Sequence, residues 1–272
     1  MPLGAIPPPP ADVVEIGPLD VHFYGLLIAI GVLLAVTIAR RRYAGLGWDP
    51  EQVDRTAVWA VGLGFLGARL AYVSTHLAAF AGRPWAVLFV WEGGLALFGG
   101  LALGTAAAAW HLRRERGSIP SLADAAAPAV PVAQALGRWG NYFNQELYGT
   151  PTAVPWALEV EPAHRVAPYA RFATFHPTFL YEAAWNLALA ALIVWIDARG
   201  LLRRRGSLFF VYLAGYGLGR FLVELLRTDT TFRLLGLSRN NWVALLVSLG
   251  ALAGLRWWER GAVRQRAPPP AG

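Results

Sequence analysis

Two stretches of this chain set guanidinium, amide and carboxylate groups at helical spacing inside apolar sequence. In the run from Gly137 to Gly149, GRWGNYFNQELYG, residues Arg138, Asn141 and Gln145 fall at i, i+3 and i+7 and therefore share one helical face. Further on, Tyr216, Arg220 and Glu224 follow at steps of four, with Arg227 three residues beyond. A guanidinium is planar, permanently charged and suited to bidentate contact with phosphate oxygens, so converging arginines would receive an anionic headgroup. Neighbouring acids could orient the arginines or move protons. A plainer reading of this second stretch is an Arg220 to Glu224 pair that neutralises itself against its neighbours, and spacing leaves both open.

These groups need elements that hold them in lipid. The chain has 272 residues, 56% of them hydrophobic and 15% charged, with a mean hydropathy of +0.42, a composition that points to the bilayer as solvent. All 24 basic residues are arginine, and the net charge of +7 is gathered in short clusters between apolar runs. That is a juxtamembrane pattern and argues against a nucleic-acid partner. Cysteine is absent, so sulfur chemistry would have to come from a substrate, and the five histidines have no ligand spacing, which argues against a metal.

The apolar runs predict an all-α polytopic membrane protein with seven spans, at about 22–39, 56–79, 86–112, 122–143, 178–197, 207–227 and 240–258, each near the length needed to cross roughly 30 Å of hydrocarbon. Arg40 to Arg42, Arg113 to Arg116, Arg199 to Arg205 and Arg256 to Arg266 then fall on one side, the cytoplasmic one, with the amino terminus outside. The long connection 146–176, rich in proline and aromatics, predicts a small extracytoplasmic cap between spans four and five. Residues 1–12 and 262–272 read as disordered, and the proline-rich start lacks the features of a cleaved signal peptide.

A charge near the bilayer centre costs at least about 2.5 kcal/mol and faces a cavity or a partner. Four arginines break the apolar pattern, Arg69, Arg138, Arg220 and Arg227, with Glu92, Glu146, Glu182 and Glu224 at similar depth. His176, just before a helix start at Pro177, suits a loop or capping role. The two diglycines of Glu92 to Gly100 fit either a tight helix crossing or a backbone wall beside a lipid glycerol.

The GRWGNYFNQELYG stretch, the HP-T-x-LYE run from His176 to Glu182 and YGLGRFLVE from Tyr216 to Glu224 together resemble the prolipoprotein diacylglyceryl transferase family, in order and spacing from about Tyr24 to Arg227. The resemblance implies a bacterial inner-membrane enzyme, without cofactor, that moves the diacylglyceryl group of phosphatidylglycerol to the lipobox cysteine of a preprolipoprotein and releases glycerol 1-phosphate. It implies catalytic roles for Arg138, Arg220, Glu146 and Glu224. It also implies substrate contacts from Tyr24, Asn141, Asn144, Gly149, Tyr216 and Arg227, besides the two arginines. Two positions depart from the family. Phe98 stands where many members carry a histidine, and Phe179 stands where the usual residue is glutamine.

The implied chemistry needs a base or a positive potential to form thiolate, because a free thiol has a pKa near 8.5. With Phe98 in place of an imidazole, Glu146, Glu224 and the arginine field are the candidates. Two rivals use the same residues: a phospholipid-binding transporter or scaffold without chemistry, and a headgroup transferase acting on a small-molecule acceptor.

Overall fold

The computed structural model describes residues 4–17, 19–89, 93–229 and 233–265; Glu92 and the extreme termini lie outside them. The protein is a helical membrane protein with eight α-helices among the described residues: α1 (Phe23–Gly45), α2 (Glu51–Thr75), α3 (Leu97–Arg114), α4 (Ile119–Ala126), α5 (Ala129–Phe143), α6 (Thr178–Ala198), α7 (Ser207–Glu224) and α8 (Arg239–Gln265). By length and apolar content, α1, α2 and α6 can each cross a bilayer. Leu33, Val58, Leu192 and Leu246 stand exposed on these helices and on α8, which water would not tolerate over so many turns and lipid does.

The chain divides into two compact units, residues 38–125 and the remainder. In the first unit α2 and α3 cross closely over glycine: a Cβ on Gly99 would overlap Ala71 and the Gly67 carbonyl, and one on Gly104 would come within 2.9 Å of the Ala60 carbonyl. Of the two readings of the diglycines, the second pair, Gly99 and Gly100, therefore serves a helix crossing. Arg69 on α2 is buried but touches no acid among its described contacts. Its guanidinium donates to the carbonyls of Ala86, Val87, Phe89, Gly93 and Gly94. The expected helix 86–112 is consequently divided. A 3-10 turn, Pro84–Leu88, lies where the helix was expected, residues 93–96 are not helical, and α3 starts only at Leu97. The reason is that Arg69 takes carbonyls a helix would need, while Gly93 and Gly94 adopt φ of +86° and +80°.

In the second unit a hairpin of β1 (Val13–Ile16) and β2 (Leu19–His22) leads into α1, and α5 to α8 pack in sequence. The expected helix 122–143 is cut at Ala127 and Pro128, since proline offers no N–H and disfavours helix at the residue before it. Packing of α6 on α7 is tight because Gly219 and Gly215 leave room for Trp185 and Leu189, and Trp185 Nε1 donates to the Gly215 carbonyl at 2.9 Å. On the other side of α7, Ser248 Oγ of α8 donates to the Ala214 carbonyl at 2.9 Å, beside Gly217.

Between α5 and α6 the chain forms a small folded segment around an antiparallel pair, β3 (Leu158–Glu159) and β4 (Thr174–Phe175). Tyr148, Leu158, Val160, Phe175 and Phe179 make its core. Burial pushes the Tyr148 phenol above its ordinary range, so it stays protonated and donates to the His164 carbonyl while accepting from Val166 N. Residues 4–12 are not free chain: Ile6 pairs with this segment, its N–H donating to the Ala157 carbonyl at 2.7 Å and its carbonyl accepting from Glu159 N at 2.9 Å. At the other end α8 runs to Gln265, beyond the expected stop at 258. Glu259 there accepts from the backbone of Arg203 and Arg204 and from Ser207, tying the α6 to α7 loop to the last turns.

Candidate active site

The groups picked out by spacing meet within the second unit. α5 starts where Pro128 and Pro131 suit a first helical turn, and its polar face carries Arg138 and Asn141. Gly140, on the same helix, leaves space that the Tyr24 ring of α1 fills, since a Cβ there would overlap that ring. The helix ends at Phe143, so the expected face is shortened. Gln145 lies past the end with φ of +49° and turns into the folded segment between α5 and α6, where its amide exchanges hydrogen bonds with Glu161. Leu147 has φ of +58°, so Glu146 is held between two non-glycine residues in the left-handed region, a costly arrangement of the kind found at functional sites. Glu146 Oε1 accepts from Asn141 Nδ2 at 2.9 Å and Asn144 Nδ2 at 3.3 Å, and Arg138 Nη1 donates to Asn141 Oδ1 at 3.4 Å.

Glu182, on the second turn of α6, stands at the centre. Its Oε2 lies 2.7 Å from Arg138 Nε and its Oε1 3.0 Å from Arg220 Nη1, so one carboxylate joins the α5 and α7 arginines. Arg220 Nη2 also meets Glu224 Oε2 at 2.7 Å, so the pair expected within span six exists but is one link of a longer chain. The Glu224 side chain is fully buried, and its Oε1 accepts from Ser238 Oγ at 2.9 Å and Asn240 Nδ2 at 3.0 Å. Ser238 caps α8 reciprocally with Asn241, which fixes the end of that helix against α7.

Two residues expected to touch substrate are occupied by the protein. α7 stops at Glu224, and Arg227 beyond it pairs Nε and Nη2 with both oxygens of Asp229 at 2.8 and 2.7 Å. Burial opposes ionisation of Asp229, but the hydrogen bonds and charge of Arg227 outweigh it and hold the carboxyl below its ordinary range. Gly149 bridges to Arg227 and is packed where a Cβ would come within 2.8 Å of His176 Cβ and 3.1 Å of the Leu226 carbonyl, so it is a crossing point of backbone. Tyr216 stacks on Tyr212 with ring centres 5.9 Å apart. His176 Nδ1 and Tyr181 Oη lie 3.1 Å apart, and Tyr181 accepts from Trp156 Nε1, so His176 joins the segment between α5 and α6 to the start of α6. Phe179 is buried against Trp139 and Tyr142, an apolar role in place of a polar one.

The arrangement is a partly buried chain of amide and ionic contacts from Glu146 through Asn141, Arg138, Glu182 and Arg220 to Glu224. The side chains of Arg138 and Arg220 remain 20% and 18% exposed, and those of Glu182 and Glu224 only 7% and 0%. Within the Arg138, Glu182, Arg220 and Glu224 links, the arginine side chains are therefore the more exposed members. Sequence reading underrated Glu182, although it is an acid placed among apolar residues in the HP-T-x-LYE run. It missed Ser238 and Asn240 altogether. The Ser-x-x-Asn pattern ahead of the last apolar run is a capping signal that would have drawn attention to them.

A sequence model of the family described as prolipoprotein diacylglyceryl transferase matches residues 11–257. The chain is 45% identical over 258 residues to phosphatidylglycerol--prolipoprotein diacylglyceryl transferase 2 of Streptomyces coelicolor, covering 94% of this chain and 81% of the relative. It is 46% identical over 259 residues to the enzyme of that name from Frankia alni, covering 94% and 68%. Against the one from Cutibacterium acnes it is 43% identical over 251 residues, covering 91% and 84%.

Proposed function

The chain belongs to the prolipoprotein diacylglyceryl transferase family, and from that premise we propose that it transfers the diacylglyceryl group of phosphatidylglycerol to the cysteine thiol of a prolipoprotein lipobox. It acts in the bacterial inner membrane. A C–S thioether forms at glycerol C3, the C3–O bond breaks with its electron pair passing to the phosphate oxygen, and glycerol 1-phosphate leaves. The observation that carries this reading is the convergence of Arg138 and Arg220, each partly reachable, on a single point.

Arg138 and Arg220 hold the phosphate and stabilise the charge that grows on it as the C–O bond breaks. Glu146 takes the thiol proton. Among the acids described at the site its partners are amides alone, whereas Glu182 and Glu224 are each engaged by arginine. It thus fills the role left open by Phe98. Tyr24, Asn141, Asn144 and Tyr216 line the substrate side, and Arg227 and Gly149 support the frame from behind. Seven crossings, made by α1, α2, α3, α5, α6, α7 and α8, put the arginine clusters in the cytoplasm together with the carboxyl terminus, and the amino terminus outside. The segment 146–176 then forms an extracytoplasmic cap next to the site.

The test is to incubate the purified protein with phosphatidylglycerol and a lipobox peptide. The peptide's cysteine gains the mass of a diacylglyceryl group while glycerol 1-phosphate accumulates in equal amount. Lipid binding without either product would make the protein a scaffold or transporter, and phosphatidylglycerol consumption without peptide modification would point to another acceptor.

A further inference from the structure

Three guanidiniums, those of Arg138, Arg220 and Arg227, face four carboxylates, those of Glu146, Glu182, Glu224 and Asp229, in the described cluster. With these groups in their ordinary ionic forms the cluster has no surplus positive charge. A phosphodiester would bring a further negative charge into a poorly solvated site, where unbalanced charge is expensive. One of the carboxylates must make way.

The contacts single out one of them. Asp229 is doubly bonded to Arg227, whose Nε also lies 3.6 Å from Glu224 Oε2. Glu224 is fully buried and fixed by Ser238 and Asn240 as well as Arg220. Glu146 rests on amides and does not lie between the arginines. Glu182 has as its described polar partners only the two guanidiniums, one on each oxygen. That is the pattern a phosphodiester would make with its two non-bridging oxygens.

A receiving group lies one turn further along the same helix. Asn186 is 2% exposed, at i+4 from Glu182, and its Oδ1 has no hydrogen-bond partner. A buried amide oxygen without a partner is unfavourable and calls for an explanation. Residues at i and i+4 share a helix face, so a Glu182 carboxylate that has let go of the arginines can take a hydrogen bond from Asn186 Nδ2, the donor of that amide; the unpartnered Oδ1, itself an acceptor, marks a carboxamide that no bond through its oxygen holds in place.

We propose that Glu182 is an exchangeable counter-anion. In the free enzyme it occupies the place of the substrate phosphate between Arg138 and Arg220, yields it to phosphatidylglycerol, and returns to help expel glycerol 1-phosphate. This rests on the reading of Arg138 and Arg220 as the phosphate site. Because Glu182 competes with substrate and product alike, its removal raises the fraction of sites open to either one.

The experiment measures phosphatidylglycerol binding and turnover in mixed micelles, and inhibition by glycerol 1-phosphate, for wild type, Glu182→Gln and Glu182→Asp. The aspartate variant keeps the charge but is one methylene too short to span both arginines, and it serves if the glutamine variant does not fold. In either variant the apparent Kd and KM for phosphatidylglycerol fall by at least about threefold, as expected when a closed state is removed, and the inhibition constant for glycerol 1-phosphate falls with them. Since product then leaves more slowly, kcat falls as well. A rise or no change in Kd and KM overturns the proposal and makes Glu182 a fixed strut. Arg138→Ala and Arg220→Ala are run alongside. If they leave phosphatidylglycerol affinity intact, the phosphate site itself is misplaced, whatever the Glu182 variants do.

Discussion

Arg220 Nη1 donates to Glu182 Oε1 at 3.0 Å, joining α7 to α6 between residues 38 apart in sequence. With Arg138 on the other oxygen, the bond makes three helices share one ionic centre. Breaking a buried pair by removing one partner strands the other charge, so this centre constrains the fold as well as the chemistry.

Replacing either arginine by lysine removes the planar fork while keeping the charge. Lysine cannot hold two oxygens in fixed geometry, so Arg138→Lys and Arg220→Lys should each lose transition-state stabilisation, with kcat falling about 10²- to 10³-fold, the usual effect of deleting one preorganised donor. Peptide lipidation assays on detergent-purified variants that keep wild-type elution and thermal stability check this. Turnover within threefold of wild type would show that charge alone suffices.

Glu146→Gln keeps the volume and the hydrogen-bonding plane but cannot take a proton. We expect kcat to fall about 10²- to 10⁴-fold, in the range of a lost general base, with the KM for phosphatidylglycerol nearly unchanged. Raising the pH should recover part of the loss, because thiolate then forms without help. A variant whose activity stays flat with pH and close to wild type would exclude Glu146 as the acceptor.

Much of this site was legible because helical spacing alone gathers Arg138 with Asn141 and Arg220 with Glu224. What spacing cannot give is the partner on another helix. Glu182 is 38 residues from Arg220, and Ser238 reaches Glu224 only after a hairpin turns the chain back, so both links depend on tertiary packing. Gln145 shows the converse error: its i+7 position places it beside Arg138 only if the helix continues, and the helix stops at Phe143. Likewise a run of apolar residues from 86 to 112 reads as one helix, because hydropathy carries no information about the carbonyls that Arg69 withdraws from it.

Arg69 therefore belongs to folding. Arg69→Met would leave the carbonyls of Ala86, Val87, Phe89, Gly93 and Gly94 without their donor. Stranding even two or three buried acceptors costs roughly 3 kcal/mol or more. For a chain of this size we expect a loss of about 6–12 °C in Tm. Arg69→Lys should recover only part, since an ammonium has three donors. Thermal unfolding in detergent measures both, and a methionine variant as stable as wild type would mean that the loop carbonyls find other donors.

Asp229 offers a stability test with a defined sign. Its folded pKa is lowered from the ordinary 3.8: burial pushes it up, and the Arg227 hydrogen bonds and charge push it down further. A depressed carboxyl contributes stability that is present above its unfolded pKa and is lost as pH falls through the lower folded value. Asp229→Asn, which cannot ionise, should therefore have a lower Tm than wild type at pH 7. The gap between the two should hold down to about pH 4, near the unfolded value, and close below it as the wild-type carboxyl takes up its proton. Thermal scans of both proteins from pH 7 to pH 3 follow the gap directly. A difference that stays constant across the whole range would assign the effect of the substitution to packing, with no contribution from the Arg227 ion pair.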